Sequence, residues 1–506
     1  MRGGFDAVAL AAILAVAAVL RWHDLGAEPW FDEIWTHLRC SAQSLGELAS
    51  TYDSQNHHIL YSLLAKLSLL AFGDSVMALR LPAVAFGLLG IAAVYALGRE
   101  VASRREGLLA AALLAVSYHH VWFSQNARGY TALAFWTLVM TWLVQRALAT
   151  DSRVLWLVYA VTGALAAYTH LTMVLVAAAH ALVAFRATLF AGRGASAAAP
   201  SAADAHRRRF QLFAPARNVL LGFAVMAVLL LLLHAPLASG FWAVNTVEGR
   251  SGAIQKWSAP SWTAEELARG LVRAFSQAVA GGLAVVLAAL GLWRLGRKRW
   301  IVAALFSLPL VVTAVLLVAS GHHLWPRFFF FAIGLGALAL VSGCFAVGEA
   351  LARLRPQLRT AAPRIGVALA SLLVVVSAAS LAGVYGPKQR FLAALHLVDR
   401  ERAPGDGVAL VGGTARVYRD YYGREWPRIE TPADLEAVRG PGATWLVHTF
   451  PVGFRAKHAD LQAVLDADFR LVGSFDGTLH EGTVLVWRSK DGPQVAGRRA
   501  DTGRGD

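Results

Sequence analysis

The chain has 506 residues, of which 57% are hydrophobic and only 16% charged, with a mean hydropathy of +0.51. That excludes an ordinary soluble protein of this length and points to a polytopic membrane protein. The formal net charge is +15, yet the arginines and lysines gather in short loops between apolar runs, a pattern of membrane topology rather than of nucleic-acid binding.

A helix needs roughly 20 apolar residues to cross the bilayer core. Runs near 5–20, 81–98, 107–123, 130–148, 154–169, 171–186, 218–236, 275–293, 300–319, 329–348 and 365–384 are read as spans. The expected fold is therefore mainly α, a polytopic transmembrane helical bundle of about 11 helices. Arg2 before a short apolar core has the form of a secretory signal, but with so many later spans the run is read as an uncleaved first helix.

Between the first two spans lies a long loop, Arg21 to Arg80, holding "WFDEIWTHLRC" with its acidic pair Asp32 and Glu33. It also holds "HHILYSLLAKLSLLAF", interrupted by Lys66 and read as a helix in the membrane interface. Arg99, Arg104 and Arg105 follow the second span, and Arg207, Arg208 and Arg209 lie in a later loop. Arg294, Arg297, Lys298 and Arg299 precede the ninth span, and Arg353, Arg355, Arg359 and Arg364 precede the last. All fall on one face if the N-terminus is cytoplasmic, and an odd number of spans then places the C-terminal region outside. The topology is most sensitive at His170, which splits two adjacent runs.

The remaining outer loops are "SYHHVWFSQNARGY", the stretch from Leu237 to Gln277, and "SGHHLWPRF". The second contains Trp242, Glu248, Lys256, Trp257 and Trp262, and its Thr263 with Glu266 reads as a capping box opening a short helix. "RGASAAAPSAADAHRRR" is read as a flexible cytoplasmic loop. From about Lys388 the composition becomes that of a soluble protein. "GVALVGG", "TWLVHTF", "FRLVGSF" and "TVLVWRS" read as strands, and "FLAALHLVDRER" and "HADLQAVLDA" as helices. The expected domains are a membrane domain over 1–387, a small α/β outer domain over 388–490 and a disordered tail over 491–506. Cys40 and Cys344 fall near opposite membrane faces, which argues against a disulfide or a thiolate metal site.

Asp32 and Glu33 have an ordinary reading as acids at a helix N-terminus, favoured by the macrodipole. Their place at the membrane edge makes them functional candidates, because ionisable groups at that depth are costly. Neighbours on a helix point about 100° apart, so the pair is not expected to share one proton. His57 and His58 lack the spacing of an i, i+4 metal pair and are read as contacts to an anion through an imidazolium. Arg128 and Arg327 each stand at the outer start of a span, the latter after His322 and His323. Positive-inside bias disfavours arginine there, and the planar fork of the guanidinium suits a phosphate. Lys66 and Arg80 belong to the same outer set.

The acidic pair, "NHHILYSLL", "FGDSVMALRLPAVAFGLLGIAAVYALGRE", "SQNARGYTALAF" and "PRFFFFAIGLGALAL", in this order, resemble the lipid-phosphate-dependent membrane glycosyltransferases. That superfamily includes the protein O-mannosyltransferases and the lipid A aminoarabinose transferase. The resemblance covers 20–150 most clearly and 320–345 more loosely. It implies the GT-C type of fold, an outer-face cavity, a sugar donor carried on polyprenyl phosphate, and Asp32 at the catalytic acidic position. Arg128, Arg327, His57, His58 and His322 become candidates for the donor phosphate, and Tyr61, Asn126 and Tyr130 for substrate contact. The chain departs from many relatives in having His57-His58 for a proline pair, Asn126 for an acid and Phe328 for a tyrosine.

The chemistry fits the residue set. A lipid phosphate leaves without a general acid if positive charge meets it, so one carboxylate suffices as base toward an acceptor hydroxyl. Asp32 is the expected base, with Glu33 in support, and attack opposite the phosphate inverts the anomeric centre. No cofactor is implied beyond the lipid-linked donor, and nothing in the residue set demands a divalent metal. The expected partners are the bilayer, the donor and a glycan, lipid or protein acceptor, in the plasma (inner) membrane. A flippase or transporter of a lipid-linked or anionic substrate is the rival, but it would place ionisable groups near the midplane, within paired halves of the chain. A non-catalytic scaffold would make Asp32→Asn silent.

Overall fold

The structure is a computed structural model in which residues 2–191, 202–248, 260–321 and 324–490 are described. Among them, nine helices are long and apolar enough to cross a membrane. A tenth crossing is added if Arg104–Ala115 and Tyr118–Ser124, bent by 61° at their break, form one span. The apolar helix Arg153–Thr169 has 17 residues and is shorter than these. Every run expected as a span falls on one of these helices. The protein is a multi-pass membrane protein with a small sheet-containing C-terminal region.

Two compact units emerge, one of Met1–Ala27 with Arg39–Tyr385, the other of Glu28–Leu38 with Gly386–Asp506. The first is helical. Its helices Ala278–Lys298 and Ile333–Leu354 cross where Gly291 faces the Ala339 carbonyl and Gly343 faces the Leu287 carbonyl. A Cβ at either position would drive into backbone, so small residues set this crossing, as is general for helices packed in lipid. The break at Val116–Ser117 frees backbone carbonyls that a straight helix would satisfy. Arg21 Nη1 donates to Ala115 O at 3.1 Å, and Ser377 Oγ to Val116 O at 3.2 Å.

Arg294, expected only as an inner-face positive charge, is the centre of a buried ionic network. It donates to Glu106 Oε2 at 2.8 Å, Glu349 Oε1 at 2.9 Å and Ser342 Oγ at 2.9 Å. Removing one member leaves an uncompensated buried charge. Arg294→Ala is expected to cost about 3–5 kcal/mol of stability, read as a lowered melting temperature in detergent. Replacing Arg294 and Glu106 together by Met and Leu should recover most of that loss.

The long first loop folds as three helices, Phe31–Ala42, Leu45–Ser50 and Ile59–Phe72. The last has 14 residues, about 21 Å of helix, too short to cross the bilayer core. Lys66 Nζ donates to Cys40 O at 2.7 Å, so this cation serves the carbonyl end of helix Phe31–Ala42. Arg80 is buried and binds Leu25 O at 2.7 Å and Ala27 O at 2.9 Å, a structural use of an expected outer-face cation. Cys40 and Cys344 are buried thiols, and burial pushes Cys40 up to about 12.

Two local expectations are corrected. Thr263 does not cap a helix; it lies inside Pro260–Phe275, and its hydroxyl donates to Leu324 O at 2.6 Å. Pro260 already supplies a residue pre-set for the first helical turn. Residues 202–209 of the segment expected as a flexible loop belong to helix Ala202–His234. The rest of that segment, the tail 491–506, and Lys256, Trp257, His322 and His323 lie outside the described residues.

The second unit holds a five-stranded sheet in the order β2-β1-β3-β5-β4, with β1 Gly407–Val411, β2 Arg428–Ile429, β3 Thr444–Thr449, β4 Phe469–Phe475 and β5 Val484–Ser489. β1 pairs in parallel with β2 and β3, while β5 runs antiparallel to β3 and β4. Four strands and both helices were expected; the two-residue β2 is too short to show a pattern. The segment Glu28–Leu38 is part of this unit's core. Ile34 is fully buried in the cluster of Val408, Leu410, Trp445 and Val447. Phe31 N–H donates to Gln389 Oε1 at 3.0 Å, and Glu28 Oε1 accepts from Leu392 N–H at 2.7 Å. Burial raises the Glu28 carboxyl above its usual range despite these bonds. Gly413 stands where any Cβ would strike the Phe31 ring. Ligands of open α/β sheets bind at the carboxyl ends of parallel strands; here the turn after β1 receives Phe31 instead.

Candidate functional site

The acidic pair opens helix Phe31–Ala42, and the two acids have different surroundings. Glu33 is buried and its Oε2 accepts the Trp30 N–H at 3.3 Å, turning back on the start of its own helix. Asp32 is half-buried, and its carboxylate makes no hydrogen bond or ion pair among the described residues. Its backbone carbonyl accepts from Thr36 Oγ1 at 3.0 Å.

The first unit gathers most of the basic candidates. His58 is buried at the start of helix Ile59–Phe72. Its Nδ1 accepts the Gly129 N–H at 2.9 Å, which assigns the ring proton to Nε2. Nε2 lies 3.0 Å from Arg128 Nη2, so two N–H donors face one another. Arg128 is itself buried. Its Nη1 donates to the Asn56 carbonyl, and its buried Nε has no partner among the described residues. The guanidinium stands 5.9 Å from the centre of the Tyr130 ring, which also meets His58 edge-on at 5.2 Å.

His170 completes the group. Its ring lies 4.7 Å from that of His58. Its Nδ1 accepts from Thr172 Oγ1 at 2.9 Å and Thr172 N–H at 3.2 Å, leaving Nε2 as a second neutral N–H. Arg327 stacks over Trp325 at 4.6 Å, and its buried Nε has no partner among the described residues. Burial, followed by the Arg128 charge, holds His58 well below the usual histidine range. Burial, with Arg128 and Arg327, takes His170 down to about 3. The imidazolium expected at this site is thus replaced by neutral donors beside two permanent cations, because a buried ring among guanidiniums resists a further charge.

The other candidates are placed differently. His57 Nδ1 pairs with Thr51 O at 3.1 Å, and burial lowers it to about 4. Tyr61 is buried in a small core with Cys40, Ala65 and Ala127, and its hydroxyl donates to Leu79 O at 2.8 Å. Asn126 is buried in the turn before Arg128, where its carbonyl accepts the Arg128 N–H at 2.6 Å. His170 was not among the expected site residues. The available signal was its position at the break between two apolar runs, on the face already assigned to Arg128 and Arg327.

The segment 56–199 matches the family model of the dolichyl-phosphate-mannose-protein mannosyltransferases. Comparison with curated protein sequences found no match. Among solved structures, the chain is similar to ArnT from Cupriavidus metallidurans in the apo state, with a TM-score of 0.53 at 14% identity over 96% of this chain and 98% of that one. The same protein bound to undecaprenyl phosphate gives a TM-score of 0.53 at 15% identity, over 98% and 100%. The oligosaccharyltransferase of Archaeoglobus fulgidus, in complex with Zn and sulfate, gives 0.54 at 12% identity, over 92% and 72%. The chain has the GT-C fold. At these identities the likeness to the GT-C structures is one of architecture. The matched segment carries His58, Arg128, Tyr130 and His170, while Asp32, Glu33 and Arg327 lie outside it.

Proposed function

We propose that this protein is a membrane glycosyltransferase that moves a sugar from a polyprenyl-phosphate donor to an acceptor hydroxyl at the outer face of the plasma (inner) membrane. The observation that carries this reading is the His58–Arg128 contact, where two N–H donors face one another at 3.0 Å. An anionic oxygen accepting from both reconciles them, and the Nε groups of Arg128 and Arg327, buried without a partner among the described residues, add donors of the same sign. ArnT, a structural neighbour, binds undecaprenyl phosphate, which supports a lipid phosphate as the ligand.

In this reading Asp32 takes the proton of the acceptor hydroxyl as its oxygen bonds to the anomeric carbon. The bond from that carbon to the phosphate oxygen breaks, its electron pair stays on the phosphate, and the configuration inverts. Arg128 and Arg327 meet the charge that develops there, and His58 and His170 donate without changing protonation. The arginines supply the positive charge, so a divalent metal is not required. The N-terminus is cytoplasmic and residues 388–490 form an extracytoplasmic domain. The acceptor is a glycan, lipid or protein hydroxyl.

The test is transfer by purified protein from radiolabelled polyprenyl-phosphate sugars to envelope acceptors, in EDTA. The expected result is a labelled product of inverted anomeric configuration. Movement of lipid-linked sugar across vesicles without transfer overturns the reading in favour of the flippase.

A further inference from the structure

Asp32 carries the proposed base chemistry, and its carboxylate has no hydrogen-bond or ion-pair partner among the described residues to aim it. A general base must nevertheless stand within hydrogen-bond reach of the proton that it takes. Its placement therefore falls to the backbone of helix Phe31–Ala42 and to the groups that hold that helix.

The second unit holds the first turns of the helix residue by residue. Phe31, Ile34 and Leu38, at i, i+3 and i+7, form one apolar face packed in the cluster of Val408, Leu410, Trp445 and Val447. The Phe31 N–H, a donor that a helix start leaves without an intrahelical partner, bonds to Gln389 Oε1 at 3.0 Å. Gln389 is fully buried, and its Nε2 donates to Thr449 Oγ1 at 2.8 Å and to Gly482 O at 2.9 Å. One amide thus ties the residue before Asp32 to the end of β3 and to the approach to β5. The Phe31 ring enters at the carboxyl ends of the parallel pair β1 and β3. It meets Phe450, just after β3, edge-on at 5.6 Å, and it fills the space that a Cβ on Gly413, after β1, would need. Phe450 has a φ of 53°, a left-handed conformation that a bulky residue keeps only where its surroundings impose it. One turn further along the helix, the Arg416 guanidinium stacks over Trp35, 3.6 Å from the ring centre.

We propose that Phe31 is a positioning residue for Asp32, and that the second unit, through Gln389, Gly413 and Phe450, is the mount that fixes the base. The proposal rests on the reading of Asp32 as that base. It gives a task to residues that lie outside the segment 56–199 matched by the family model.

The test is a set of variants assayed for transfer from radiolabelled polyprenyl-phosphate sugars, with melting temperature as the folding control. The new Cβ of Gly413→Ala meets the Phe31 ring first, and Gly413 is not in the left-handed region, so alanine adds no backbone strain there. In this variant kcat is expected to fall about 10²-fold, the scale of a misplacement of about 1 Å, with affinity for bare polyprenyl phosphate unchanged. In an Asp32→Asn background the same substitution should cause no further loss, since changes that act through one group do not add. Leu461→Ala, in the core on the opposite face of the sheet, should lower the melting temperature and leave kcat unchanged. If Gly413→Ala does not fold, Gln389→Leu, which removes the acceptor of the Phe31 N–H, is held to the same criteria. Native kcat in the folded variant, or an equal loss with Asp32 present and replaced, overturns the positioning role. An equal loss of kcat in Leu461→Ala overturns it too, because stability alone would then account for both. Native kcat in Asp32→Asn overturns the base assignment and the proposal with it, whereas no transfer by the native protein overturns the glycosyltransferase reading itself.

Discussion

Asp32→Asn is expected to lower kcat for sugar transfer by about 10²–10⁴-fold, the contribution of a positioned general base, with donor affinity unchanged. The amide cannot take the acceptor proton, while every other part of the site remains. The variant should fold, because the Asp32 carboxylate holds no partner among the described residues. Its stability should fall only by the macrodipole contribution, about 0.3–1 kcal/mol. Glu33→Gln makes the contrast: it keeps an oxygen for the Trp30 N–H, so its effect on kcat should be far smaller. Transfer kinetics on melting-controlled variants decide the matter, and full activity in folded Asp32→Asn removes the base assignment.

Arg128→Gln is expected to cost about 10²–10³-fold in kcat/KM, the scale of removing one donor from a preorganised charge-stabilising site. Here donor affinity should fall as well, because the guanidinium meets the phosphate in both the bound and the departing state. Arg128→Lys should not restore activity. An ammonium is a point charge without the planar fork that holds the Asn56 carbonyl with one arm and faces His58 with another. Titration with bare polyprenyl phosphate separates this effect from that of Asp32→Asn; unchanged lipid affinity in folded Arg128→Gln would remove the phosphate assignment.

Much of the fold was legible because lipid imposes a simple rule. Backbone polar groups must be satisfied within each span, so every crossing is an apolar helix of sufficient length. The break at Ser117 and the 17-residue helix Arg153–Thr169 mark where that rule blurs. The strands of the second unit were legible by their apolar runs. The capping box at Thr263 misled because its threonine and glutamate sit at the right spacing inside a helix that a proline had already begun.

The candidate site was legible in its residue types and less so in their states. Arg128 and Arg327 stood out as cations against the positive-inside bias. That His58 and His170 would be neutral donors was not readable, since it depends on Gly129 and Thr172 claiming one nitrogen of each ring. The His57 ring is held likewise by the Thr51 carbonyl.

By itself the sequence determined what one-dimensional patterns carry: the membrane spans, the apolar strands, the acidic pair and the cations at the ends of spans. Only the tertiary structure decided which acid is tied to its own helix and which has a carboxylate without a partner among the described residues. It alone made residues 28–38 part of the core formed with Gly386 onwards, and it alone gathered His58, Arg128 and His170 from three loops. The physical reason is common to all of these. Burial and hydrogen-bond partnership are set by residues distant in the chain, and they decide the charge of a histidine, the freedom of a carboxylate and the company of an arginine.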